Sequence, residues 1–554
     1  MPAFRILASA LALFAVLALA TAGDLPKSIE ELLEAARAQS REGNYKEAAA
    51  LWGEVVQRNP TFPAYWQARA RSCYQAKSFA AAAEAYQKAL ELGHGYRWSM
   101  AYQIACCHAR AGNKDLAIDW LGKAKSWGHR TFLSARTDDE LASLRDDPRF
   151  QAFFPPENTA KLARNDGLRL DLKFYMDELA RRHWDPYRRH AKAEFEAYAK
   201  KLHDEIPKLT DPQVEVRFMQ LAAMAGDGHT HLRRDGKRLM LPLQCYQFDD
   251  GVFITAAAPA QKDLAGLEIT EVAGKPIAEV LKALQPLISV DNPQGYKAAG
   301  PAFLIRPRFL FALGLIPSEL EMTLTLKDAG GPTRNVTLAA GAAELDKTWI
   351  TAHATATNPV PLYLKQRDKA YWFEHLPDQK LIFLQYNAVQ NEGKESFSQF
   401  CTRLREFIDQ NEVEKLVIDL RWNGGGNSFL NQPLIHAVIR SPKINERGKL
   451  FVIIGRQTFS AAQNCTTDLE MNTRCIFVGE PSGSSPNFIG ESIRVTLPYS
   501  KMTGTFSDLY WGRSWPMDQR LWTPPEIYAP PQFSLYKDNR DPALEAIMAY
   551  RHKP

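Results

Sequence analysis

The C-terminal part of the chain alternates short hydrophobic runs with amphipathic stretches, and this alternation limits the folds that it can adopt. The predicted strands are Leu381–Tyr386, Lys415–Arg421, Leu450–Gly455 and Cys475–Gly479. The stretches between them, with apolar residues three or four positions apart, are Ser396–Gln410, Ser428–Ile439 and Ala461–Asn472. Consecutive βα units of this kind build a sheet with helices packed on it. We therefore predict an α/β core over residues 346–554.

A second pattern, nearer the N-terminus, is a repeat with a helical spacing. Ala48, Ala82 and Ala117 occupy matching places in segments that start at residues 43, 77 and 112, which are 34 and 35 positions apart. This period matches the tetratricopeptide helix-turn-helix repeat, for which three units are about the minimum. We predict an all-α tetratricopeptide repeat domain over residues 24–155. Its concave face is expected to bind a protein partner or polypeptide, although such a stack can also be purely architectural.

The first 22 residues have the pattern of a secretory signal peptide. Arg5 precedes an unbroken apolar run, Ile6–Ala20, and Ala20-Thr21-Ala22 forms a small-residue cleavage site. The run is shorter than the ~20 residues that span a bilayer. We therefore expect a periplasmic or secreted protein with no stable membrane span after cleavage; an uncleaved anchor is the alternative.

Composition excludes several classes of protein. The 554 residues are 45% hydrophobic and 24% charged, as in an ordinary globular chain. The net charge is only +5 and no long run of basic residues occurs, so nucleic acid is not an expected partner. Seven cysteines are too few for a disulfide framework in a chain of this length. In an oxidising compartment Cys465 and Cys475 either pair or remain buried free thiols.

Two regions connect the repeats to the core. Residues 165–235 carry helical periodicity that ends at Gly226-Asp227-Gly228, and we predict a helical segment there. Residues 236–345 change to short strands and turns, which predict a β-rich segment. Within it, residues 264–276 resemble the second half of a PDZ module, without a convincing carboxylate-binding loop before them.

Three short segments carry residue types suited to nucleophilic catalysis. Residues 419–427, DLRWNGGGN, follow a strand and precede a helix, where glycines bring backbone amides close to an anion. Ser460, in TFSAAQN, stands at a predicted helix N-terminus, as a nucleophile or as a simple N-cap. His229, in AGDGHTH, lies in a glycine-framed loop and is a candidate general base for a serine. Together with His231 it could suggest a metal site, but no further ligands occur at zinc spacing, so no metal or cofactor is predicted.

The three segments in this order resemble the tail-specific, C-terminal-processing serine peptidases and the tricorn core protease, over roughly residues 170–550. The resemblance implies a ClpP/crotonase-like α/β catalytic core. It implies that Ser460 is the nucleophile and that Ala461, with Gly424 or Gly425 of the glycine run, forms the oxyanion hole. It also implies a polypeptide substrate.

The resemblance offers two kinds of base. The tail-specific branch uses a lysine about 25 residues after the serine, but no lysine lies between Ser460 and Lys501. The tricorn-like branch uses an upstream histidine, which His229 matches, although Gly228 replaces the serine before it. That branch also has an acid near the C-terminus, for which Asp518 is the first candidate and Glu480 and Glu526 are the alternates.

The sequence therefore predicts an exported serine-type peptidase that forms an acyl-enzyme on Ser460, with His229 as general base and an acid behind it. The alternatives are a non-catalytic ligand- or protein-binding member of the same scaffold, and a scaffold in which the repeats are the functional part.

Overall fold

The computed structural model describes residues 28–234, 239–328, 331–342 and 348–551. The predicted signal peptide, residues 1–22, lies outside the described residues. The chain divides into two compact units, one ending at Glu157 and one beginning at Asn158. In the described parts of both units, every helix is too short or too polar to cross a bilayer.

The first unit is helical, which confirms the predicted all-α repeat region. Its repeat helices are Ile29–Glu42, Tyr45–Arg58, Pro63–Gln75, Phe79–Glu91, Arg97–Arg110 and Lys114–Ser126. They are followed by two 3-10 helices, Phe132–Arg136 and Asp139–Leu144, and by the short helix Pro148–Gln151.

The same backbone turn recurs in each helix pair of this unit. The turns inside the three helix pairs hold Gly43, Lys77 and Gly112 in the left-handed region, with φ of 82°, 61° and 82°. A left-handed residue ends one helix and lets the next fold back against it. The matching alanines of the three units are fully buried, because only a small side chain lets the paired helices approach closely. The assignment to the tetratricopeptide class stays a prediction.

The second unit is built around a six-stranded sheet. In spatial order its strands are Ile527–Tyr528, Ile476–Gly479, Leu450–Ile454, Lys415–Asp419, Leu381–Tyr386 and Tyr371–Leu376. All neighbouring pairs are parallel except the last, which is antiparallel. The connecting helices are Phe397–Gln410, Gln432–Ile439 and Ala461–Asn472, and Pro542–Ala549 packs on the other face. The predicted α/β core is confirmed.

The strands of this sheet read as continuous apolar runs because both of their faces are covered. Every residue of Leu450–Ile454 is buried, and the side chains on the two faces belong to separate apolar clusters. Parallel strands bring their carboxyl ends to the same edge, so the loops that follow Asp419 and Ile454 lie side by side there.

The predicted helical segment packs on a second, smaller sheet. Its helices are Arg164–Arg182, Lys192–Glu205 and Asp211–Ala223, and they share an apolar core with that sheet. The sheet has the antiparallel order His231–Arg233, Thr503–Phe506, Ile493–Thr496. A separate antiparallel pair joins Asn487–Gly490 to Leu509–Gly512. The loop before His231 is thereby tied to the C-terminal part of the chain.

The region between them is antiparallel, as expected from its β pattern. Its main strands are Leu243–Phe248, Gly251–Ala257, Glu268–Val272, Glu321–Lys327 and Thr333–Ala339, with short partners Lys275–Pro276 and Ile350–Thr351. Helices Ile277–Leu284, Pro293–Leu304 and Pro307–Ala312 cover its apolar face. The regions predicted at 165–235, 236–345 and 346–554 all belong to the one unit that begins at Asn158.

Candidate active site

Ser460 and His229 meet at the carboxyl edge of the six-stranded sheet. The hydroxyl oxygen of Ser460 lies 2.9 Å from Nε2 of His229, although 231 positions separate the two residues in the chain. Both residues are half-buried, so the pair faces a surface that solvent reaches. A hydroxyl at hydrogen-bond distance from an imidazole nitrogen is the geometry by which a base activates a serine.

The backbone at Ser460 forms a sharp turn between strand Leu450–Ile454 and helix Ala461–Asn472. Its φ of 54° and ψ of −122° are uncommon for a residue with a side chain. The turn is held by Thr458, whose hydroxyl donates to the Leu420 carbonyl at 2.9 Å and accepts from the Gly455 amide at 3.0 Å. Such strain persists only where its surroundings enforce it, and here it presents the serine hydroxyl at the helix N-terminus.

The glycine loop lies directly against this turn. Gly425 has φ of +105°, and a side-chain carbon placed there would lie 2.8 Å from the Ala461 nitrogen. Its own amide donates to the Asn423 side chain at 2.9 Å. Across the described residues, the amides of Gly424 and Ala461 donate to no protein acceptor. Gly424 and Ala461 therefore hold amides that a substrate oxygen could use, whereas the amide of Gly425 is already engaged.

The imidazole of His229 is held between aromatic rings. The ring stacks on Phe459 with centroids 4.6 Å apart and lies nearly parallel to Phe488 at 5.9 Å. Its Nδ1 atom is buried and has no hydrogen-bond partner among the described residues. Stacking thus holds the ring plane, while the side of the ring away from Ser460 contacts no carboxylate directly.

Asp227, two residues before the histidine, organises the loop. It is fully buried, and its Oδ1 accepts from the His229 amide at 3.0 Å, the Thr230 amide at 2.8 Å and the Ser507 hydroxyl at 2.5 Å. Its Oδ2 lies 2.8 Å from Nε2 of His183. Burial alone would raise its pKa, but the His183 and Ser507 interactions outweigh burial and lower it to about 2. Asp227 is therefore ionised at neutral pH.

Asp291 is a second buried acid beside the same loop. Its carboxylate accepts from the Gly228 amide at 2.7 Å and from the Ser484 hydroxyl. Burial raises the pKa of its carboxyl, and the nearby His229 opposes that rise. Sequence reasoning assigned no role to Asp227 or Asp291. An aspartate two residues before a histidine in a glycine-framed loop is a recognisable turn signal, but Asp291 carries no comparable signal.

The acids predicted from the sequence are engaged elsewhere, and the structure places none of them on His229. Asp518 forms an ion pair with Arg520 at 2.8 Å and accepts from Ser514 at 2.6 Å; the Arg520 contact lowers its pKa to about 2. Glu480 is buried and paired with Arg456, which holds the strand ends together. Glu526 is paired with Arg447 near the surface. An arginine close to each carboxylate gives it a stronger partner than an imidazole.

The structure also places the two cysteines and the second histidine that the sequence analysis discussed. Cys465 and Cys475 are both buried free thiols, so the pairing alternative is wrong. His231 directs Nδ1 to the Thr505 hydroxyl at 3.0 Å, and burial lowers the pKa of its imidazole. No cluster of three possible metal ligands occurs in the described part of the chain.

The DLR motif before the glycine run forms a buried ion pair with the C-terminal part of the chain. Arg421, from the DLR motif, donates to both carboxylate oxygens of Asp541 at 2.9 and 2.8 Å, and to Asp419 at 3.1 Å. Asp541 in turn caps the last helix through the amides of Ala543 and Leu544. This buried network fixes the start of the glycine loop to the C-terminal end of the chain.

Comparison with known proteins matches part of the core to a family model. Residues 380–491 match the model of Peptidase family S41. The chain is similar to the crystal structure of mature CPAF, with 14% identity over 69% of this chain and 96% of that chain, and a TM-score of 0.50. It also matches the photosystem II D1 C-terminal processing protease, with 14% identity over 69% of this chain and 96% of that chain, at a TM-score of 0.33. No curated protein matches it.

The likeness to mature CPAF concerns the fold of about two-thirds of this chain. The family match covers the strands and loops that carry the glycine run and Ser460. Residues 380–491 are thus similar to Peptidase family S41, in agreement with the resemblance to the tail-specific serine peptidases.

Proposed function

We propose that this chain is an exported serine-type peptidase that hydrolyses peptide bonds through an acyl-enzyme on Ser460, with His229 as the general base. The observation that carries the proposal is the 2.9 Å contact between the serine hydroxyl and the imidazole Nε2. The strained turn at Ser460 and the unengaged amides of Gly424 and Ala461 support the same assignment.

The geometry suits a two-step acyl transfer. Nε2 of His229 takes the hydroxyl proton as Ser460 attacks the peptide carbonyl carbon. The oxyanion that forms accepts hydrogen bonds from the Ala461 amide and from Gly424, at the positive end of the helix. The imidazolium then donates its proton to the leaving amine, and a water molecule repeats the sequence to release the acid.

The charge that balances the imidazolium comes from buried aspartates in this proposal. Asp227 is ionised at neutral pH and interacts electrostatically with His229. Asp291 also interacts electrostatically with His229, although burial raises the pKa of its carboxyl. Both carboxylates are bound by the backbone of the histidine loop, so they position the loop and favour a positive charge on its ring. Asp518, Glu480 and Glu526 have no part in this arrangement.

A lysine base is not part of the proposal. Lys501, the first lysine after the serine, donates its ammonium group to the Pro498 carbonyl within its own turn. The export of the protein to a periplasm or beyond rests on the signal-peptide pattern of residues 1–22. The helical repeats are proposed to bind a protein partner or to orient polypeptide substrates.

A fluorophosphonate probe tests the nucleophile and the base. We expect it to label the full chain, and we expect Ser460→Ala to abolish labelling while Ser485→Ala leaves it intact. His229→Ala should slow labelling by about 10²- to 10⁴-fold, the usual contribution of a general base. Asp518→Asn should change the rate little, since that carboxylate is bound to Arg520. Folded wild-type protein that stays unlabelled, with or without added peptide, would favour a non-catalytic binding protein instead.

A further inference from the structure

A partly open cavity of about 350 Å³ lies within the second unit, between the carboxyl ends of the parallel strands and the antiparallel sheet. Its walls are largely apolar and aromatic, with contributions from Phe248, Ile305, Trp349, Ile453 and Ala543. Ser460 and His229 are not among its lining residues. Its volume falls in the range of small-molecule pockets, about 300–1,000 Å³.

The charged groups that line the cavity are unequally satisfied. Glu480 is bound by Arg456 through both of its oxygens, and Arg421 is bound by two aspartates. Arg367, at the solvent-exposed mouth, has no hydrogen bond or ion pair within the described residues. Its guanidinium instead lies 4.1 Å from the centre of the Trp422 ring. One cationic group in the cavity therefore lacks an anion.

Three phenol side chains line the same cavity as this cation. Tyr246, Tyr363 and Tyr536 line the cavity and interact electrostatically with Arg367. None of their hydroxyls has a hydrogen-bond partner in the described parts of the chain. A guanidinium and three phenol side chains, all with hydrogen-bond donors, thus line one cavity whose other walls are largely apolar.

We propose that this cavity binds a carboxylate that carries an apolar body, with Arg367 on the carboxylate and the aromatic walls around the body. Arginine is the side chain that matches a carboxylate by two parallel hydrogen bonds. The carboxylate is supplied by a free small acid or by the end of a peptide chain, because both present the same chemistry to Arg367.

The cavity also adjoins the proposed catalytic loops. Trp422, which stacks with Arg367, precedes Asn423, and the Asn423 side chain accepts from the Gly425 amide at 2.9 Å. The Asn423 carbonyl accepts from the Phe459 amide at 3.1 Å. A ligand that fixes Trp422 therefore acts on the residue that joins the glycine loop to the serine turn. We expect its binding to change the rate of Ser460 labelling, and this part alone rests on the proposed function.

Calorimetric titration of the full-length Ser460→Ala chain tests the binding without any catalysis. The probe is 4-phenylbutyrate, and its uncharged analogue is 4-phenylbutyramide. We expect saturable binding of the acid, about 10- to 100-fold tighter than of the amide, as a charge-assisted hydrogen bond predicts. Arg367→Met keeps the apolar stem and should remove this difference, while Lys365→Met, close by and paired with Glu374, should retain it.

Several outcomes would overturn the proposal. They are equal binding of acid and amide, unchanged binding in Arg367→Met, or no heat from the acid at roughly millimolar concentration. Tyr536→Phe provides a second variant: it removes one hydrogen-bond donor at nearly constant shape, and it should weaken the binding of the acid but not that of the amide. A peptide ending in phenylalanine, compared with its amidated form, distinguishes the two sources: a preference for the free peptide acid over 4-phenylbutyrate assigns the site to chain ends. If the wild-type chain is not labelled at Ser460 but the acid binds as expected, the proposed function is rejected and the binding proposal is retained.

Discussion

Replacing Gly425 with alanine is the change that should separate catalysis from folding most clearly. The added carbon would lie 2.8 Å from the Ala461 nitrogen and 2.8 Å from the Ser460 side-chain carbon, where ordinary contact begins at 3.4 Å. The loop or the serine turn must therefore move by about 0.6 Å. The residue also keeps a φ of +105°, a strain that costs about 1–3 kcal/mol in a residue with a side chain.

The displacement falls on the proposed oxyanion site. Loss of one oxyanion donor costs about 10²- to 10³-fold in kcat, and small misplacements of reacting groups cost about 10²-fold. We therefore expect Gly425→Ala to lower the fluorophosphonate labelling rate by at least about 100-fold. The thermal midpoint of the second unit should fall by only a few degrees, since a given loss of free energy shifts the midpoint less in a larger unit.

The neighbouring glycine provides a matched control. A side-chain carbon at Gly424 meets no atom within 4 Å, and its φ lies outside the left-handed region. Gly424→Ala should therefore fold and label at close to the wild-type rate, because the change removes no amide. Labelling rates measured in parallel with thermal unfolding distinguish the two variants. Equal rates for Gly424→Ala and Gly425→Ala would refute the steric reasoning, whatever their value.

Two further predictions concern stability and the thiols. Asp227→Asn should destabilise the second unit by ~2 kcal/mol at neutral pH, because the pKa of Asp227 is lowered from 3.8 to about 2. That contribution is present above about pH 4 and is lost as the pH falls towards 2, so urea unfolding should show a gap to wild type that narrows between about pH 4 and 2. A constant gap would contradict the assignment, and Asp177→Asn on an exposed helix face should show none at either pH. Protein denatured without reductant should titrate seven thiols, because all seven cysteines are free; a lower count would indicate a disulfide.

Local patterns were enough to predict the elements of the fold. The strand at Leu381–Tyr386 and the helix at Ala461–Asn472 have the bounds that periodicity predicted, and the helix at 397–410 begins one residue after its predicted start, where Ser396 is the cap. Such elements follow from hydrophobic spacing and from cap and turn residues within a few positions. The helical repeat could be predicted in the same way, because one left-handed turn recurs in every repeat unit.

The acidic residues near His229 could not be predicted from local patterns. The position of Asp518 near the C-terminus predicts it as the acid, but its carboxylate is bound by Arg520, two residues later. Asp291 reaches the histidine loop from 63 positions away, and Ser484 reaches Asp291 from 193 positions away. No spacing rule connects such positions, since their approach depends on how three separate regions pack.

The sequence by itself determined the α/β core, the helical repeat and the chemical types of the two residues of the candidate site, because these follow from local periodicity, glycine placement and motifs. Only the tertiary structure decided that Ser460 Oγ lies 2.9 Å from His229 Nε2, that Asp227 and Asp291 hold the loop, and that Arg367 forms no ion pair with any described residue. The physical reason is that hydrogen bonds and ion pairs between distant segments form by competition among all the groups that folding brings together. The sequence shows which donors, acceptors and charges are present, but not which of them lie next to each other in the folded chain.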